Sequence, residues 1–153
     1  DLLDEIARAF GVSSATLRVN SKCLSADVNA AYDPNYAEVL ETNNATHLSC
    51  GAGVTKFTGA RGKSGSNDAD AEYIGWLRKK FDDNGVIWQT GEMGKVDVGG
   101  GGTIAYILAE YGMEVIDSGL PVLNMHAQYE LSSKADIYEA VQGYKAFLLD
   151  GDN

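Results

Sequence analysis

At 153 residues, 44% of them hydrophobic, the chain carries enough material for one domain with one core and too little for two. Its formal charge of −10 and pI of about 4.5 repel phosphate backbones and anionic lipid, which argues against nucleic-acid and membrane-surface partners. No apolar stretch approaches the roughly 20 residues of a membrane span and no secretory leader opens the chain, so a soluble cytoplasmic protein is the expectation.

Leu2, Leu3, Ile6 and Phe10 recur at helical spacing, with Gly11 where a terminating glycine belongs. The pattern begins at once with no residue read as a cap, which reads as a chain cut from something longer. Residues 12–24 are mixed and polar and read as a connection. Cys23 to Val28 alternates weakly, a short strand ending near Asp27, and Asp33-Pro34-Asn35 is turn chemistry. Residues 37–52 read as loop and Gly53–Phe57 as a strand. Thr58–Ser66 reads as a mobile cationic loop, after which Ser66, Asn67 or Asp68 caps a helix with the stripe Tyr73, Ile74, Leu77, Phe81.

Val86–Gln89 is strand-like, and a segment dominated by glycine follows, up to Gly102. Ile104, Ile107, Leu108 and Tyr111 form a second helical stripe opening at Thr103. Glu114–Asp117 is a short buried strand, and Val122–Met125 leads to His126. Ser133-x-x-Asp136 resembles a capping box before a third helix with Ile137, Val141, Tyr144 and Leu148 on one face. This alternation predicts an α/β protein with a mixed, partly parallel sheet flanked by helices.

Four motifs bear on chemistry. Gly59-Ala60-Arg61-Gly62-Lys63-Ser64 imitates a phosphate loop, but the glycine required five residues before Gly62 is Phe57. A nucleotide-binding domain on Gly62-Lys63-Ser64 is therefore the weaker alternative. Gly99–Gly102 brings backbone close to something, either a bound carboxylate or oxyanion at a helix N-terminus or nothing more than a surface turn. Ser64 lacks the G-x-S-x-G context of a hydrolase nucleophile, and Cys23 and Cys50 read as buried small hydrophobes, too few for a disulfide framework or an all-thiolate zinc site. Asp27 and His126 both fall at expected strand ends, where α/β proteins place sites, and permit a metal site without proving one. His47 reads as a solvated loop side chain.

Three stretches taken together resemble a known family. Ser25-Ala26-Asp27-Val28-Asn29-Ala30-Ala31-Tyr32-Asp33-Pro34-Asn35-Tyr36, Lys95-Val96-Asp97-Val98-Gly99-Gly100-Gly101-Gly102-Thr103, and Leu123-Asn124-Met125-His126 with Glu130 are similar in order and spacing to the aminopeptidase I / aspartyl aminopeptidase family of di-zinc exopeptidases. The likeness runs from about residue 20 to 149 and favours the aminopeptidase I branch, since Ala30 and Asp33 stand where the aspartyl branch has histidines. The resemblance implies a zinc-dependent aminopeptidase acting on peptides, with two zinc ions, Asp27 as carboxylate ligand of one and His126 as imidazole ligand of the other. It implies substrate contacts from Gly100, Gly101 and Gly102 and from Lys63 or Arg61, and a homo-oligomer, as family members form large assemblies. It also implies that residues 1–153 are the C-terminal part of a catalytic domain. The remaining ligands, the general base and a second domain lie in a part this chain lacks, so the chain alone is expected to be inactive. The alternative from another class is a noncatalytic binding or oligomer subunit.

Overall fold

The computed structural model describes residues 1–61 and 64–149. Helix α1 spans Leu2–Ala9 and is capped after all: Asp1 accepts from the Asp4 amide at 2.9 Å while the Asp4 carboxylate takes the Asp1 terminus. Arg18 reaches both carboxylates from α2, Ser14–Val19, a helix the sequence reading passed over as a connection. Ser13 caps α2 through the Thr16 amide, a local signal in a segment too short to show a period.

The strands follow as β1 (Lys22–Ser25), β2 (Asn29–Ala30), β3 (Ala52–Thr55), β4 (Phe57–Ala60), β5 (Ser64–Asp68), β6 (Trp88–Thr90), β7 (Glu114–Gly119), β8 (Pro121–Leu123) and β9 (Leu131–Ser132). Between them lie a 3₁₀ turn at Pro34–Val39 and helices α3 (Ala71–Asp83) and α4 (Ala105–Ala109), and α5 (Lys134–Leu149) closes the described chain. The main sheet runs β1-β7-β3-β6, with β1 parallel to β7, β7 antiparallel to β3 and β3 parallel to β6. A smaller sheet runs β2-β8-β9, with β2 parallel to β8. The fold is thus the mixed α/β architecture expected.

One apolar core lies between the main sheet and helices α3 and α5. Tyr73, Leu77 and Phe81 from α3 meet Val54, Ile116, Val86 and Ala146 there. Strand alternation turns Asp117 to the other face, toward α4.

Several local expectations change. Thr58–Ala60 and Ser64–Ser66, expected in a mobile loop, are strand instead, since β4 pairs antiparallel with β5. The cap of α3 is consequently Asp70, which accepts from the Glu72 and Tyr73 amides. Helices α4 and α5 form where predicted but turn other faces inward. Ile104, Ile107 and Tyr111 are exposed while Ala105 is buried, and α5 buries Asp136, Ala140, Gly143 and Ala146 rather than Ile137, Val141 and Leu148. Asp136 does not reach back as a capping-box partner; it accepts the Ser49 and Gly51 amides at 2.7 and 2.8 Å and ties that loop to α5. Cys50 is exposed and Cys23 half-buried, so neither is the buried small residue expected.

Candidate active site

Two chain crossings build the site. After β1 the chain passes through Ala26-Asp27-Val28 into β2, leaving the main sheet for the smaller one. After β7 it makes the same passage at Gly119-Leu120 into β8. The crossings run side by side: the Asn29 amide donates to Leu120 O at 2.8 Å and the Ala31 amide to Val122 O at 2.9 Å. They touch at Gly119, where an added Cβ would stand 1.5 Å from the Asp27 carbonyl oxygen. Asp27 is half-buried there, with Oδ1 accepting the Val28 amide at 2.8 Å.

His126 sits in the turn after β8. Asn124 and His126 both take left-handed backbone conformations, at φ 58° and 69°, a region uncommon for residues other than glycine though asparagine and histidine enter it more readily than most, and a neighbouring side chain holds the turn there. The holding group is Glu130, whose Oε1 accepts the His126 amide at 2.6 Å, assisted by the Ala127 amide on Asn124 O. The His126 side chain is exposed. The β2–β8 ladder therefore ties the Asp27 segment to the strand that delivers His126. Carboxylate and imidazole suit zinc by type. Among the described residues no three His, Cys, Asp or Glu side chains converge as a metal-holding group.

The glycine-rich segment packs against its own protein. Lys95 N donates to Val39 O at 3.0 Å, and a Cβ on Gly99 would come within 2.5 Å of that same carbonyl oxygen. Gly101 O accepts the Gly59 amide from β4 at 3.1 Å, and Asp97 N donates to Arg61 O at 3.1 Å. Gly100 and Gly101 line a small cavity of about 50 Å³ with Phe57, Glu92 and Met93. Helix α4 opens only at Ala105 and is five residues long, so the glycines precede it rather than form its first turn. The close approach inferred from sequence is thus to Val39. Lys63 lies outside the described residues. Ser64 opens strand β5, whereas a phosphate loop must run into a helix, and the nucleotide-binding alternative loses its geometry.

Sequence reasoning missed a polar cluster on the α4 side of β7. Asp117, 4% exposed, accepts from Thr103 at 3.0 Å and Thr58 at 3.2 Å through Oδ2. Burial pushes its carboxyl up from the ordinary range; the hydroxyls of Ser25, Thr103 and Thr58 oppose this, and the charge of Asp27 adds to it. Ser25 is its registered neighbour on β1. Neither Ser25 Oγ, Asp117 Oδ1 nor Ser118 Oγ meets hydrogen-bond geometry with any partner among the described residues. The available signal was an aspartate ending the apolar run Val115-Ile116-Asp117 within the short buried strand read from sequence.

Residues 2–148 match the family described as aminopeptidase I zinc metalloprotease (M18). The chain belongs to that family. A probable M18 family aminopeptidase 1 of Clostridium acetobutylicum is 62% identical over 129 residues, 84% of this chain and 28% of that protein. The crystal structure of aminopeptidase I from the same organism superposes with a TM-score of 0.85 at 56% identity, covering 93% of this chain and 31% of the other. That of an M18 family aminopeptidase from Thermotoga maritima gives 0.87 at 43% identity, covering 95% and 33%. The chain therefore spans about a third or less of the length of these M18 relatives. Among the described residues no helix is long and apolar enough to cross a membrane.

Proposed function

We propose that this M18 chain is the C-terminal part of the catalytic domain of a cytoplasmic, homo-oligomeric aminopeptidase, which releases N-terminal residues from peptides with two zinc ions. The observation that carries the reading is the paired crossing at Asp27 and Gly119, joined by one ladder to the turn that Glu130 holds around His126. The chemistry zinc supplies when bound is activation of water near neutral pH and polarisation of the scissile carbonyl.

The chain's own residues do the following. Asp27 offers a carboxylate oxygen and His126 an imidazole nitrogen, one donor to each metal. Glu130 fixes the His126 backbone, which orients the ring it carries. Gly100, Gly101 and Gly102 present backbone to the substrate. The general base and the other donors come from the part of the polypeptide outside these 153 residues. The absence of a three-donor cluster among the described residues favours, for the chain alone, the second reading of a noncatalytic subunit.

Zinc content and peptide turnover of the complete enzyme test the first reading. Asp27→Ala and His126→Ala are each expected to lower kcat/KM by about 100-fold or more and to reduce bound zinc, since even changes one shell further out cost ~10–100-fold. Full activity in both variants would remove these residues from the site.

A further inference from the structure

The cluster around Asp117 holds neither metal nor substrate in the reading above, and its geometry gives it a separate task. Through one oxygen, Oδ2, Asp117 accepts from Thr58 on β4 and from Thr103 at the end of the glycine-rich segment, and the two hydroxyls lie 3.2 Å from each other. Thr103 Oγ1 also accepts the Ala105 amide at 3.2 Å, so one side chain joins the segment to the start of α4. All three side chains are buried. Two residues along the same strand, Gly119 bears the Asp27 carbonyl directly on its backbone. Asp117 and Gly119, two residues apart on the same face of β7, thus anchor the glycine-rich segment and the Asp27 backbone respectively.

We propose that Asp117 is a positioning residue: by holding Thr58 and Thr103 it sets the separation between the glycine-rich segment and Asp27, so that the segment is in place to bind a peptide lying along it beside the metal. The inference rests on the aminopeptidase reading. The task needs an oxygen acceptor and no charge. Ser25 is the registered neighbour of Asp117 on β1, so an asparagine fits the place, its carbonyl toward the two threonines and its NH₂ toward the Ser25 hydroxyl. An acid, a base or a metal ligand at this position would need the carboxylate itself.

The test measures KM, kcat and zinc content for Asp117→Ala, Asp117→Asn, Thr103→Val and Thr103→Ser in the complete enzyme. The same four variants of the complete enzyme are followed by amide hydrogen exchange at Gly59 and Ala105, whose N–H groups bond Gly101 O and Thr103 Oγ1. For Asp117→Ala and Thr103→Val the expected result is a KM raised about tenfold or more, with kcat within about threefold, zinc content unchanged and both amides exchanging faster. Asp117→Asn and Thr103→Ser are expected to recover KM to within about threefold. An asparagine variant as damaged as the alanine variant would overturn the proposal, because the carboxylate itself would then be in use. So would unchanged KM and unchanged exchange in the alanine and valine variants. If the unsubstituted complete enzyme neither holds zinc nor cleaves peptides, the aminopeptidase reading fails. The exchange rates then decide alone whether Asp117 anchors the segment.

Discussion

At Gly119 a methyl group would stand 1.5 Å from the Asp27 carbonyl oxygen and 2.6 Å from its carbon, both backbone atoms. No rotamer change relieves such a clash, so the crossing itself must move, and with it the half-buried Asp27. Gly119→Ala is therefore expected to cost about 2–4 kcal/mol, the upper range for overpacking a tight site. Urea unfolding of the chain reads this as a lower midpoint at unchanged slope. A loss below about 0.5 kcal/mol would show that the two crossings slide apart freely, and the link between β7 and Asp27 would lapse.

Helix α5 carries apolar residues on two faces, and size decides which one goes inward. Ala140, Gly143 and Ala146 let the helix axis come close to Phe81 and the sheet, while the larger Ile137, Val141 and Leu148 face outward. Ala140 is 1% exposed and Val141 44%. Ala140→Leu should thus destabilise the chain by about 1–3 kcal/mol by overpacking, and Val141→Gln by no more than about 0.5 kcal/mol. Thermal unfolding of the two variants checks the order. The reverse order would mean that the large-residue stripe read from the sequence is the packed face. Helix α4 repeats the theme, with small Ala105 buried and Ile104 65% exposed.

For the whole molecule, β1 is an edge strand of the main sheet, and beside it lies a groove of about 460 Å³ lined by Cys23, Ser25, Asp27, Ile104 and Leu108. An open strand edge next to exposed apolar side chains favours association. The same chain offers Asp27 and His126 with no third convergent donor among the described residues. The 153-residue chain on its own is expected to bind zinc with a dissociation constant above about 1 μM, or less than about 8 kcal/mol of binding energy, where closed structural sites reach ~10–16. It is also expected to self-associate. Calorimetric titration with zinc and sedimentation velocity measure the two. Tight binding of two zinc ions by a monodisperse monomer would show that the chain contains a site its donors do not reveal.

The sequence alone determined what rests on near neighbours. Helices α1, α3 and α5 were legible because their apolar spacing is local, β1 because it alternates weakly and β7 because it opens on a short apolar run. The family was legible in the segments around Asp27, Gly99–Thr103 and His126, whose residue types and order survive in one dimension. The strand order β1-β7-β3-β6 was not, since Ser25 and Asp117 become neighbours only through pairing across most of the chain. Nor was β5, whose polar Ser64–Asp68 is a strand because β4 supplies its hydrogen bonds rather than because of any β propensity. The cap on α1 depends on a short-range bond that the sequence did not make conspicuous, and the inward face of α5 on the room that α3 leaves. Only the tertiary structure decided that Asp117 is buried with two threonines and that Gly119 carries Asp27. Both follow from how closely two distant segments approach, a quantity that no local period or propensity records.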